Sequence, residues 1–333
     1  MFAEQRHLSK IISQLSDKVR VERLENIRFQ QHQFSIECLS IGSERDDVPV
    51  IAYFGGVHGL EKIGSEVLLA YLQTLTQLLE WDRELQQRLD NMRLVFVPII
   101  NPVGVWRGTR CNGNGVDLMR NAPIESAGKT KLYSGQQISP RLPWFRGNPD
   151  VMEAEAQALC RVIRQQINSS SLLMAVDLHS GFGIQDRLWF PYASQKIPFP
   201  NLAEAHALKQ LFDDCYPHHF YQIEPMSQEY VISGDLWDYL YCELKQHYPE
   251  KLFMPLTLEM GSWQWLRKNP LHLFRRHGLF HPMLPHRQQR ILRRHLTLFD
   301  FLFRAMLYPS KWAALDAEKR LYHHQHAMQL WYA

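Results

Sequence analysis

Four short apolar runs limit the folds open to this 333-residue chain. They are Val48–Phe54 (VPVIAYF), Met92–Ile100 (MRLVFVPII), Leu172–Leu178 (LLMAVDL) and Phe253–Leu258 (FMPLTL). Each is too short for a helix of ordinary length and shows little polar alternation. That is the pattern of a strand buried on both faces. Between them lie segments with helical periodicity. Residues 63 to 79 place Val67, Leu68, Tyr71, Leu72, Leu75 and Leu79 on one stripe. Residues 151 to 167, 203 to 213 and 235 to 247 also read as helices. Strands alternating with helices imply an α/β sheet covered on both faces. At the ends of the chain, residues 1 to 18 read as a helix, residues 33 to 41 (HQFSIECLS) as a half-buried strand, and the stretch from about 285 as helical and basic.

No repeat, low-complexity tract or convincing linker divides the chain. We expect one catalytic domain, residues 1 to 284, with a helical extension, 285 to 333, packed on it. Hydrophobic residues make up 45% of the chain, enough for a substantial core. The 37 basic and 34 acidic residues nearly balance, which gives no reason to expect nucleic acid or an anionic membrane as partner. No run approaches the ~20 apolar residues of a membrane span. The N-terminal segment is charged throughout and lacks a signal-peptide core. Five scattered cysteines without a CxxC pair read as reduced thiols. Cytoplasm is the expected compartment; the oligomeric state is not legible.

Three of the four runs end in polar residues able to do chemistry. The first leads into GGVHGLE, the third into DLHSGFG and the fourth into LEMGSW. In open α/β sheets, sites collect at the carboxyl ends of strands. His58, Glu61, His179 and Glu259 therefore fall where a site is expected. Imidazole and carboxylate suit zinc, and a catalytic zinc keeps three protein ligands and one open position. His58 and Glu61, three residues apart, with His179 from a neighbouring strand, make such a set for one Zn2+ ion. Glu259 is then a spare carboxylate, as a general base requires. Ten of the other histidines, His206, His218, His219, His247, His281, His286, His295, His323, His324 and His326, sit among polar neighbours and read as surface residues. The stretch from 103 to 150 is rich in Gly, Asn, Pro and Arg; a loop this long inside a compact domain is usually functional.

With these residues in place, the chain resembles the M14 zinc carboxypeptidase family from about Val48 to Trp263. Five ordered blocks carry the resemblance: GGVHGLEKIG, NPVGVWRGTRCNGNGVDLMRN, VDLHSG, EYVISGDLWDY and PLTLEMG. It implies a three-layer α/β/α fold with a central mixed, mostly parallel twisted sheet. It also implies roles: His58, Glu61 and His179 match the zinc ligands, and Glu259 the glutamate that takes a proton from the attacking water and passes it to the leaving amine. Asp117 resembles the aspartate that supports the first zinc histidine. Arg120 matches the arginine that receives the substrate's terminal carboxylate. Arg110 or Arg107 matches the arginine that stabilises the oxyanion; spacing to Asp117 favours Arg110, the WRGTR string Arg107, and we prefer Arg110. Tyr230 resembles the mobile active-site tyrosine of digestive carboxypeptidases.

The chain departs from the family at Met119, where the pattern has an asparagine that helps bind the terminal carboxylate. A thioether donates no hydrogen bond, so Arg120 would need help from Asn121, Arg107 or Tyr230. The specificity position falls near Trp237. The expected activity is hydrolysis of an amide bond next to a C-terminal carboxylate, in a peptide or an acyl-amino acid. Two alternatives stand beside it. One is a deacylase of N-acyl amino acids resembling succinylglutamate desuccinylase and aspartoacylase. The other is a non-enzymatic binding module on the same fold.

Overall fold

The apolar runs pair side by side in the middle of one sheet. A computed structural model describes residues 1–15, 17–127, 132–263, 280–282 and 284–333. Residue 16 of the segment read as an N-terminal helix, and residues 264 to 279 of the expected catalytic domain, lie outside the described residues. Among the described residues eight strands form: β1 (Val19–Phe29), β2 (His32–Gly42), β3 (Val48–Gly55), β4 (Arg93–Val97), β5 (Ser170–Ser180), β6 (Arg187–Phe190), β7 (Gln222–Pro225) and β8 (Leu252–Met260). Their order is β1-β2-β4-β3-β5-β8-β6-β7. The contiguous block β4-β3-β5-β8 is parallel, and β6-β7 is a second parallel pair. The remaining neighbours are antiparallel. The sheet is thus mixed with a parallel centre.

Ten α-helices lie among the described residues: α1 (Ala3–Ile12), α2 (Lys62–Leu78), α3 (Arg83–Leu89), α4 (Pro102–Arg107), α5 (Ala154–Asn168), α6 (Leu202–Cys215), α7 (Leu236–His247), α8 (Pro285–Arg294), α9 (Leu296–Leu307) and α10 (Ala317–Trp331). Successive residues of a strand face opposite sides of a sheet. On β3, Tyr53 meets Tyr71 of α2 and Phe299 of α9, whereas Phe54 meets Trp237 of α7. Helices therefore cover both faces, giving an α/β/α sandwich. The C-terminal helices belong to its core: Leu298, Phe299, Phe301, Leu302, Phe303 and Met306 are all buried, and Trp331 packs on Phe190 of β6. Among the described residues, no helix is long and apolar enough to cross a membrane.

The structure corrects several expectations. The N-terminal helix ends at Ile12. The segment expected as one long loop from 103 opens with α4, because Asn101 caps that helix by accepting from the Gly104 N–H at 2.8 Å. His295, expected at the surface, is 1% exposed, and its Nδ1 lies 2.8 Å from the Tyr221 hydroxyl. His206, His219, His281 and His323 are half-buried. The five cysteines, by contrast, are free, as expected.

What positions the site is register. β5 and β8 run parallel with His179 opposite Glu259, while Gly55 at the end of β3 lies opposite Leu178. The carboxyl ends of three adjacent central strands therefore meet at one point on the sheet edge.

Candidate active site

Gly55-Gly56 ends β3 and the chain turns at once into His58-Gly59-Leu60-Glu61. The turn is fixed by the Glu61 N–H, which donates to the His58 carbonyl at 3.1 Å. It also sits against α4: a Cβ on Gly59 would lie 1.8 Å from the Gly104 carbonyl carbon, so a side chain there would collide with backbone. The turn brings His58 Nδ1 to 2.9 Å from Glu61 Oε1. His179, from β5, places its Nδ1 3.0 Å from Glu61 Oε2 and 3.2 Å from His58 Nδ1. All three side chains are buried.

The outer nitrogens of both rings are held. His58 Nε2 meets Asp117 Oδ1 at 3.0 Å, and His179 Nε2 meets Asp177 Oδ2 at 2.8 Å. Each outer carboxylate accepts from an Nε2–H and fixes the ring so that Nδ1 is the atom turned toward Glu61, where a metal would bind. The three donor atoms lie within 4.8 Å of one another. Two imidazoles and one carboxylate, oriented by outer carboxylates and facing a cavity, fit a catalytic zinc with an open position. Burial alone would raise the Glu61 carboxyl, but His58 and His179 beside it hold it well below the usual range. His179 shows the converse: burial opposes its charge, yet Asp177 and Glu61 raise its pKa.

Asp117 joins the metal set to the arginines. Its Oδ2 accepts from Arg110 Nε at 2.8 Å and from Arg120 Nη1 at 3.0 Å. Arg110 Nη1 also reaches Glu61 Oε1 at 3.3 Å, and Arg120 Nε donates to the Tyr133 carbonyl. Asp117 is completely buried, which by itself would raise its pKa; Arg110, Arg120 and His58 instead hold it well below the carboxylate range.

Glu259 stands across from these groups. Its Oε1 accepts the Phe182 N–H at 2.9 Å. Burial and then the neighbouring Glu61 push its pKa up to about 8. His58, Glu61, Arg110, Arg120, His179 and Glu259 all line one cavity of about 560 Å³. Met119, Tyr133, Trp144, Phe182, Trp189, Met226, Ile232 and Phe280 give it apolar walls. Tyr230 lines it too, half-buried against Phe182 and Trp189. This size is in the usual range for small-molecule sites.

Two residues expected at the substrate lie elsewhere. Arg107, at the end of α4, is exposed and packs its guanidinium over the Phe29 ring at 5.2 Å, outside the cavity. Asn121 is buried in loop contacts, donating to the Arg146 carbonyl and accepting from the Glu153 N–H. Of the two arginines weighed for the oxyanion, only Arg110 faces the cavity. Trp237 lies behind the site, its Nε1 donating to Asp177 Oδ2 at 3.0 Å. Asp177 itself went unread in the sequence, although it stands two residues before His179 in an otherwise apolar run, and therefore on the same strand face.

The loop carrying Arg120 is locked by Gly234. Ala122 N–H donates to the Gly234 carbonyl, Gly234 N–H donates to the Ile124 carbonyl, and Gly234 has φ +79°. A Cβ there would lie 1.9 Å from the Arg120 carbonyl oxygen. Gly234→Ala combines a left-handed backbone with a backbone clash, so we expect a loss of ~2 kcal/mol or more. Urea unfolding checks this. A variant with unchanged midpoint and unchanged KM would show that the contact does not position Arg120.

The comparisons agree with this geometry. The family model for zinc carboxypeptidases, peptidase M14, matches residues 27–269. Carboxypeptidase SOL1 of Arabidopsis thaliana is 23% identical over 260 residues, covering 76% of this chain and 48% of that protein. Carboxypeptidase M of Mus musculus is 24% identical over 245 residues, covering 69% and 51%. The chain thus spans about half the length of these curated relatives. Among solved structures, bovine thrombin-activatable fibrinolysis inhibitor in complex with tick carboxypeptidase inhibitor superposes with a TM-score of 0.65 at 15% identity, over 92% of this chain and 95% of that one. Carboxypeptidase A from Helicoverpa armigera gives a TM-score of 0.65 at 18% identity, over 92% and 72%. These likenesses show the shared fold, the family model covers most of the chain, and the chain accordingly belongs to the M14 zinc carboxypeptidase family.

Proposed function

We propose that this chain is a zinc-dependent hydrolase that cleaves an amide bond next to a peptide's C-terminal carboxylate. One observation supports it most: a single cavity brings the His58–Glu61–His179 donor set and Glu259 together with two arginines pinned by one buried aspartate. A zinc ion held by His58, Glu61 and His179 would supply Lewis acidity and acidify a water molecule.

The other steps fall to this chain's own residues. Glu259 keeps Oε1 on the Phe182 N–H, which leaves Oε2 to take the proton of the attacking water and hand it to the leaving nitrogen. Arg110 is oriented by Asp117 and Glu61 to donate to the developing oxyanion. Arg120 receives the substrate carboxylate with the planar guanidinium suited to it. Tyr230, Phe182 and Trp189 form the wall against which the substrate side chain packs.

Met119 lines the same cavity with a thioether, so anion recognition rests on the arginines. That residue favours a second reading, a deacylase of N-acyl amino acids. A substrate panel separates the two. Dipeptides and N-blocked dipeptides with a free carboxylate should be hydrolysed. Their C-terminal amides should lose at least about 100-fold in kcat/KM, because a polar site left unpaired discriminates strongly. Faster cleavage of N-succinyl- or N-acetyl-amino acids than of any dipeptide would overturn the peptidase reading in favour of the deacylase.

A further inference from the structure

Away from the active site, α6 and α10 pack against each other and bring three histidines together. His206 of α6 and His323 of α10 place their Nδ1 atoms 3.0 Å apart. Their ring centroids are 5.2 Å apart. In the zinc-carboxypeptidase site, His58 and His179 meet in the same way, Nδ1 to Nδ1 at 3.2 Å with centroids 4.9 Å apart. Two imidazoles bound tetrahedrally at ~2.0–2.1 Å have their nitrogens about 3.3 Å apart. The contact thus has the spacing of two ligands of one ion.

A third imidazole is adjacent. His326 follows His323 by three residues on α10, so both project from one side of the helix. Its ring centroid is 6.0 Å from that of His206. His326 Nδ1 donates to the Tyr322 carbonyl at 2.8 Å, which leaves Nε2 as its outward-facing nitrogen. His326 is exposed and lies on the Tyr322 ring with centroids 4.0 Å apart, so joining the pair requires a change of its side-chain rotamer that releases Tyr322.

We propose that His206 and His323, with His326 turning in as third ligand, form a second site for a divalent transition metal such as zinc, nickel or copper, stapling α10 to α6. Imidazole nitrogen suits these ions and disfavours calcium and magnesium. Burial, and then His323, lower the pKa of His206 to about 4; burial, and then His326, lower that of His323. The neighbouring Glu204–Arg320 ion pair, at 2.6 Å, already ties the same helices, so the ion would reinforce a contact that exists. The Trp331 carbonyl, at the end of α10, accepts from Gln228 Nε2, two residues before Tyr230.

The test uses the full chain stripped by chelator and titrated with Zn2+ by calorimetry. The native sequence should bind one equivalent more than His206→Gln/His323→Gln. Its Tm should rise with that extra equivalent, and His324→Gln should behave as native. His323→Gln alone, altered on the exposed helix, serves if the double variant does not fold. Equal stoichiometry in native and His323→Gln proteins would overturn the proposal and leave an N–H···N hydrogen bond as the whole of the contact. Because the comparison is between variants that keep His58, Glu61 and His179, an empty active site would lower every count alike and would not imitate this result.

Discussion

Glu259→Gln should bind zinc as the native protein does and lose about 10²- to 10⁴-fold in kcat, the usual worth of a general base. The amide keeps the size of the side chain and still accepts the Phe182 N–H through its oxygen. It takes no proton from water. Glu259 is separate from the His58–Glu61–His179 donor set, so metal content should not change. Two measurements decide it together: zinc per chain by elemental analysis and kcat on a C-terminal dipeptide. Zinc at the native level with turnover within a few-fold of native would remove Glu259 from the mechanism. Loss of zinc along with turnover would instead assign it to the metal set.

The second large effect is expected at Asp117. Its carboxylate is fully buried and accepts from His58, Arg110 and Arg120. Removing one partner of a buried charge cluster costs ~3–5 kcal/mol, because the remaining charges keep their desolvation penalty without their counter-charge. Asp117→Ala leaves two guanidiniums beside the metal set without the carboxylate that both of them bind. It also frees His58 Nε2, and loss of such an outer partner typically weakens metal binding 10- to 100-fold. Denaturant unfolding of the chelated protein reads the first effect, and competition with a zinc chelator reads the second. A variant as stable as the native chain would show that water replaces the carboxylate at no cost. Asp117→Asn, which retains an acceptor and the volume, should fall between the two.

The sequence spoke most clearly where physics demands uniform residues. The central strands must be apolar on both faces, so β3, β4, β5 and β8 stood out as runs. Their polar ends then marked His58, Glu61, His179 and Glu259. β1 was silent for the opposite reason. It is an edge strand paired on one side only, and its VRVERLENIRF is largely exposed, so no core pattern marks it. β6 and β7, at four residues each, are too short to show a period. The division of labour among arginines was harder still. Nothing in WRGTR says that Arg107 ends a short helix and turns to Phe29, because α4 depends on an Asn101 cap and on packing against Gly59. Asp177 carried a readable signal: a charge in the middle of a doubly buried strand has to have a partner.

The register that sets His179 opposite Glu259 has a consequence for how the protein becomes active. The chemistry-bearing residues run from 58 to 259, on parallel strands that pair only after long crossovers close. Such non-local pairing forms slowly, since loop-closure entropy is lost before contacts repay it. No partial fold that lacks β8 contains both the ion's ligands and the base. The three ligands themselves lie at the ends of β3 and β5, so a zinc ion would need only those two strands paired, and the complete catalytic set would wait for β8. A bound ion would raise stability by mass action, about 2.7 kcal/mol at a hundred times its Kd. A chain that folds in zinc-poor conditions would thus complete the same sheet and yet open more often, and its lifetime would be set by metal supply as much as by its core.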